Sequence, residues 1–185
     1  MGEHVQLWVW FVVGAGSLLF VAAGVFGGLY ALRVAERRYL LMLISRREAV
    51  FAVRQALESA VSRLAQGSDD RLELFSSDPE SPDRRVLREI ESRAHVLEDE
   101  LDAVALPKRL IPAAEALADA AFVVAREAGK VRSETIDDSA LEALGSIDLS
   151  AVARAFEKAT TAIADTCELC GMDEDAAVYG GGLYL

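Results

Sequence analysis

The chain has few of the residues that enzymes use for chemistry or that secreted folds use for cross-links. Its 185 residues include two histidines, two cysteines, two tryptophans and four prolines. Two thiols are too few for a fold held together by several disulfides. The sequence also contains no Ser/His/Asp set, no phosphate-binding loop and no HExxH motif. We therefore predict a protein without catalytic activity and without a cofactor.

Positive charge is also scarce. The chain carries 19 Lys and Arg against 30 Asp and Glu, which gives a formal net charge of -11. A protein of this charge repels the phosphate backbone of DNA and RNA. The composition thus argues against a nucleic-acid partner.

Charge of either sign is absent from Val5 to Tyr30, a run of 26 residues. As a helix this run would extend roughly 39 Å, whereas the hydrocarbon core of a bilayer is about 30 Å thick. Trp8 and Trp10 lie near one end of the run and Tyr30 lies at the other, where amphipathic rings prefer the membrane interface. We predict an uncleaved transmembrane helix over residues 5–31.

A cleaved signal peptide is the alternative for this segment. The small residues of "FVAAG", around Val21 to Ala23, resemble a cleavage site. However, Glu3 and His4 precede the run in place of the usual basic residues, and the run is long for a signal peptide. If cleavage did occur, the remainder would be an exported helical bundle.

Arginines follow the uncharged run and set its expected orientation. Arg33, Arg37 and Arg38 come first, and Arg46 and Arg47 follow. The positive-inside rule then places residues 1–4 outside the cell membrane and the rest of the chain in the cytoplasm. Arginines at this position also predict contact with anionic membrane lipids.

Two glycines in the run, Gly24 and Gly28, form a GxxxG pair. Small residues at this spacing let two membrane helices approach closely. The pair is thus a candidate helix-pairing face for a homo-oligomer, and a span that is simply rich in glycine is the alternative.

The body of the chain has helical periodicity throughout. Apolar residues recur at intervals of three and four along four segments, which predicts four helices that each bury one face. No proline or glycine occurs between Tyr30 and Gly67, so the membrane helix is expected to continue into the first of them. The fold class is therefore all-α: one N-terminal transmembrane helix continuing into a cytoplasmic antiparallel four-helix bundle. The expected ranges are a stalk and first helix at 32–66, a loop at 67–81, the remaining helices at 82–171 and a flexible tail at 172–185. Ser81 and Pro82 predict a helix start, Asp148 is the expected N-cap of the last helix, and Gly171 is its expected C′ residue.

Cys167 and Cys170 form a CxxC pair, which is a weak candidate for a metal or redox site. The pair closes a predicted helix, and the negative end of the helix dipole disfavours a reactive thiolate. Two thiols also fall short of the four ligands of a structural zinc site. The sequence favours structural cysteines, with a metal site or disulfide shared between two chains and a thiol sensor as alternatives.

His95 is a second weak candidate. Phosphotransfer domains are helical bundles whose motif resembles His-x-Leu-Lys-Gly, and His95 and Leu97 match it. Glu98 and Asp99 replace the Lys and Gly that a partner of such a domain would use. A surface histidine is the favoured interpretation, and phosphotransfer signalling is the alternative.

The C-terminal sequence "AAVYGGGLYL" is hard to explain by folding alone, because three consecutive glycines do not form a stable helix. The apolar and aromatic side chains of Tyr179, Leu183, Tyr184 and Leu185 would gain from a binding surface. Docking to an unknown protein partner is one interpretation of these residues, packing on the chain's own bundle is another, and a disordered tail is the third. Together these features predict a single-pass membrane-anchored scaffold or adaptor.

Overall fold

The computed structural model describes the backbone of residues 2–132 and 136–172, and the side chains of residues 28, 30, 34–132 and 136–172. In this part of the chain there are six helices and no strand: α1 (Gly2–Ala65), α2 (Asp69–Ser77), α3 (Pro82–Asp102), α4 (Ile111–Ala128), α5 (Asp138–Gly145) and α6 (Leu149–Leu169). The chain divides into two compact units, Met1–Arg38 and Tyr39–Leu185.

In the first unit the structure describes a helical backbone and a few side chains. Tyr30 is 72% exposed, and Arg37 and Arg38 are exposed as well. The side chains of the predicted transmembrane run before Gly28, including Trp8 and Trp10, lie outside the described residues. The same holds for Gly24 and for the side chain of Arg33. Among the helical segments whose side chains are described, none has both the length and the hydropathy to cross a bilayer.

In the second unit, neighbouring helices run in opposite directions. Arg46 of α1 pairs with Glu100 of α3 at 2.5 Å, whereas Ala56 of α1 lies beside Ile90 of α3 across a shared groove. Residue numbers along α3 therefore decrease in the direction in which residue numbers along α1 increase. The segment of α1 from Tyr39 onward and α3 are antiparallel.

The α4 helix runs antiparallel to both α3 and α6. Near one end of the bundle, the backbone N–H of Asp148 donates to Glu127 Oε2 at 2.7 Å. Further along, Lys158 Nζ of α6 lies 3.1 Å from Asp119 Oδ2 of α4. At the same end as Glu127, the guanidinium of Arg84 on α3 donates to the carbonyl of Arg132, which follows α4. The prediction of an all-helical bundle is confirmed.

The predicted apolar faces form one core. Leu57 of α1, Leu87 of α3, Leu117 of α4 and Ile163 of α6 are each at most 1% exposed. Val53, Ala94, Ala121 and Ala159, which come from the same periodic patterns, are also buried. Each helix thus buries the stripe that its sequence indicates, and removal of this apolar surface from water stabilises the bundle.

The segment 67–81, predicted as a loop, instead contains the helix α2. Its polar composition, "GSDDRLELFSSDPES", suggested a loop, but Phe75 is fully buried and Leu72 is half-buried against the core. A bidentate ion pair also joins Arg71 of α2 to Asp83 of α3, with Nε 2.7 Å from Oδ2. Burial of one aromatic ring and this ion pair outweigh the weak local helix signal.

The predicted helix start at Ser81 and Pro82 is correct, but its expected hydrogen bond is missing. Pro82 occupies the first helical turn and Ser81 is the N-cap, yet the Ser81 hydroxyl makes no hydrogen bond to any described residue. The N-cap of α6 does behave as expected, since the N–H of Ala151 donates to Asp148 Oδ1 at 2.9 Å. Asp148 thereby satisfies one of the unpaired donors of the first turn.

The α6 helix ends in a Schellman motif at Gly171, as the sequence predicts. The N–H of Met172 donates to the Cys167 carbonyl at 2.9 Å, and that of Gly171 donates to the Glu168 carbonyl at 2.9 Å. Gly171 adopts a φ of 64°, in the left-handed region. A residue with a side chain is strained at this position.

Replacing Gly171 with Ala should lower the free energy of unfolding by about 1 kcal/mol, because an L-residue pays for the left-handed conformation. A Cβ at Gly171 would meet no atom within 4 Å, so the cost is in the backbone alone. Gly145→Ala is the matched control, since its Cβ is equally open and its φ is not positive. Urea unfolding followed by circular dichroism measures both variants, and equal effects would contradict the prediction.

Candidate functional site

The two cysteines lie at the end of α6 with unequal burial. Cys167 is 2% exposed and belongs to the core, whereas Cys170 is half-buried and is the C-cap of the helix. Among residues 34–132 and 136–172, no three His, Cys, Asp or Glu side chains come together as a metal site. The burial of Cys167 supports the structural interpretation, because free thiols in cores behave as small apolar groups.

Cys167→Ser should lower the free energy of unfolding by about 1 kcal/mol, because a hydroxyl is costlier to bury than a thiol. Cys170→Ser should change it by less than about 0.5 kcal/mol, since this position is only half-buried. Chemical unfolding under reducing conditions compares the two variants directly. A larger loss for Cys170→Ser than for Cys167→Ser would favour a specific role for the second thiol.

His95 lies on the outer face of α3, where the sequence places it. Its side chain is 51% exposed, and Nδ1 lies 3.1 Å from Glu98 Oε2. Glu98, which replaces the Lys of the phosphotransfer motif, thus contacts the imidazole directly. A carboxylate at this position would repel an incoming phosphoryl group.

The remaining predicted residues are not brought together by the described structure. Gly28 is exposed, and a Cβ there would meet no atom within 4 Å. The tail residues Tyr179, Leu183, Tyr184 and Leu185 lie outside the described residues. Helix pairing and tail docking therefore stay predictions.

A shallow groove between α1 and α3 is a feature that the sequence did not indicate. Its volume is about 190 Å³, and it is lined by Ala52, Val53, Ala56, Val86, Glu89, Ile90 and Arg93. The lining is mostly apolar, and Glu89 and Arg93 form an ion pair at its edge. A groove with this mostly apolar lining is suited to contact with another apolar surface.

The outward face of α1 beside this groove has little charge. We call this surface the α1 face, and it consists of the exposed residues of α1 from Ser45 onward. Only two of them, Glu48 and Arg63, are charged. The members are Ser45, Glu48, Phe51, Ala52, Gln55, Ala56, Ser59, Ser62, Arg63 and Ala65. By contrast, most exposed residues of α3 are charged. Such a surface, small and nearly neutral, is unusual in a chain of net charge -11.

Two buried charged residues were also missed by the sequence patterns. Arg84 is 2% exposed, and its Nε and Nη2 donate to the carbonyls of Phe75 and Ser76 at 2.6 and 3.0 Å. Its Nη1 donates to the Arg132 carbonyl at 3.4 Å. Burial lowers the pKa of Arg84 from its ordinary value. The guanidinium joins α2, α3 and the segment after α4.

The second is Glu127, which is 1% exposed on α4. Its Oε1 accepts from Arg126 at 3.1 Å, and its Oε2 lies 2.5 Å from Lys130 Nζ and accepts the N–H of Asp148. Burial raises the pKa of this carboxyl, but the hydrogen bonds from Lys130, Asp148 and Arg126 lower it by more, so it lies below its ordinary value. Glu127 thereby ties α4 to the start of α6.

Comparisons with known proteins identify no relative. No protein-family model matches the chain, and neither a curated protein nor a solved structure matches it significantly.

Proposed function

We propose that the chain is a single-pass membrane-anchored scaffold or adaptor whose cytoplasmic body is an antiparallel helical bundle. The uncharged run Val5 to Tyr30, followed by Arg33, Arg37 and Arg38, carries the anchoring part of the proposal. The nearly neutral α1 face carries the scaffold part.

The partner that we propose for the α1 face is a second copy of this chain. Two copies of net charge -11 repel one another wherever their acidic faces meet. The α1 face, with one acidic and one basic residue, is where two copies can meet without that repulsion. Small side chains such as Ala52, Ala56 and Ser59 allow close approach of two helices. The Gly24 and Gly28 pair in the predicted membrane helix favours the same association.

A charge placed on the α1 face tests this proposal. The full chain is crosslinked in membranes and sized in detergent micelles, with Ala56→Glu as the test variant and Thr161→Glu on the exposed face of α6 as the matched control. We expect wild type and Thr161→Glu to form dimers, and Ala56→Glu to dissociate at least tenfold more readily, as a carboxylate facing its copy predicts. Monomeric wild-type protein, or an undisturbed Ala56→Glu dimer, would rule out this face.

The C-terminal tail is tested in the same membranes with a chain that lacks residues 173–185. Mass spectrometry of the crosslinked products separates copies of this chain from other proteins. Loss of a captured protein on truncation, with dimers retained, supports tail docking. Mass spectrometry of the mature N-terminus decides between the anchor and the exported alternative, since cleavage near Ala23 would remove the apolar run.

A further inference from the structure

One end of the bundle carries a turn with two cations that pair with no acid among the described residues. The turn joins α3 to α4 over residues 103–110, "AVALPKRL", and contains no acidic residue. Lys108 and Arg109 are exposed and form no ion pair or hydrogen bond with the described residues. Most other cations of this unit have a partner, as Arg46 has Glu100 and Lys158 has Asp119. In a chain with excess acid, two adjacent cations that have no acidic partner among the described residues suggest an anionic ligand from outside.

Exposed apolar side chains lie at the same end of the bundle. Ile111, which follows the turn, is 39% exposed, and Leu169, at the end of α6, is 73% exposed. Because α4 and α6 are antiparallel and meet at Asp119 and Lys158, Ile111 and Leu169 both lie toward this end. A surface that combines bare cations with exposed aliphatic groups matches the interface of an anionic bilayer.

The chain enters the second unit at this end. Arg46 contacts Glu100, and Tyr39 lies seven residues earlier on α1, or about 10 Å further toward the turn. The turn and the first residues of the unit thus share one end of the bundle. Nearby exposed carboxylates, Asp102 and Glu168, weaken any contact with an anionic surface, so the contact must be modest and sensitive to salt.

We propose that the turn 103–110, through Lys108 and Arg109, and the adjoining Ile111 rest on the anionic lipid surface of the membrane. The inference builds on the proposed anchoring, which would bring the lipid within reach. Electrostatic attraction to lipid headgroups holds the cations, while Ile111 and Leu169 lie at the acyl boundary. The contact would limit how freely the bundle reorients above the membrane.

Amide hydrogen exchange on the full chain in vesicles tests the contact. The N–H groups of residues 104–106, 108 and 109 donate no backbone hydrogen bond to the described residues, so they exchange quickly unless lipid covers them. Exchange is compared in phosphatidylcholine vesicles with and without phosphatidylserine. We expect phosphatidylserine to slow exchange in this turn roughly fivefold, the factor that one cation near an anionic surface supplies.

The variant Lys108→Glu/Arg109→Glu should lose this slowing, and so should wild type at high salt. Arg63→Glu/Arg85→Glu is the matched control, because both arginines are exposed and lie toward the opposite end of the bundle. Exchange that is indifferent to phosphatidylserine, or that stays slow in the Lys108→Glu/Arg109→Glu variant, would overturn the inference. Failure of the anchor is distinguishable, because the chain would then not float with pure phosphatidylcholine vesicles.

Discussion

Replacing Arg84 with Met should lower the free energy of unfolding by about 3 kcal/mol, one of the largest losses expected from a single substitution in this chain. Methionine keeps the length and apolar stem of the side chain but removes every donor. The carbonyls of Phe75, Ser76 and Arg132 then lose the guanidinium as a donor. Among the described residues, the Ser76 carbonyl keeps only the N–H of Asp137. The guanidinium also lies over the Phe75 ring, 5.2 Å from its centroid, and this contact is lost too.

Arg85→Met is the control for this prediction. Arg85 is the next residue on α3, but it is exposed and donates to a single carbonyl, that of Glu80, at 3.0 Å. Its replacement should change the unfolding free energy by less than about 0.5 kcal/mol. Urea unfolding followed by circular dichroism is the suitable measurement, because the unit Tyr39–Leu185 contains no tryptophan whose fluorescence could report on its unfolding. Equal losses for the two variants would show that Arg84 does not tie the three segments together.

Replacing Glu127 with Ala should lower the free energy of unfolding by about 2 kcal/mol, because the substitution breaks a buried ion pair and leaves an N–H without its acceptor. The loss is smaller than for Arg84, since Arg126 and Lys130 are partly exposed and can turn to water. Glu115→Ala is the control, as Glu115 is exposed on the same helix. If Glu115→Ala cost as much, helix propensity rather than the buried contacts would explain the result.

The Glu127 contacts should also make the free energy of unfolding depend on pH in the acidic range. The pKa of Glu127 lies below its ordinary value in the folded state, so its contribution is present above the unfolded pKa of about 4.3 and is lost as the pH falls through the folded pKa. The pKa of Asp83 is lowered by Arg71 and contributes with the same sign. Unfolding free energy measured from pH 7 down to about pH 3 should therefore fall. The fall should be shallower in Glu127→Gln, and parallel curves for the variant and wild type would contradict this account.

Helical periodicity determined much of the fold by itself. The stripes through Leu57, Leu87, Leu117 and Ile163 repeat every three or four residues, and this spacing places each stripe on one side of a helix. The ends of α6 were also predicted, since Asp148 and Gly171 act through neighbours within a few residues. Local chemistry of this kind is fully present in the sequence.

Contacts between distant segments were decided only by the tertiary structure. Arg84 donates to a carbonyl 48 residues away, and Glu127 accepts from an N–H 21 residues away. No local pattern distinguishes these two from the many charged residues that face water, and for the same reason α2 was expected to be a loop. Lys108 and Arg109 stand out only once the structure shows which cations have partners. Composition and the helical periodicity of apolar residues thus determine which helix faces are buried. The packing of helices far apart in sequence determines which charged side chains are buried and which stay exposed to solvent.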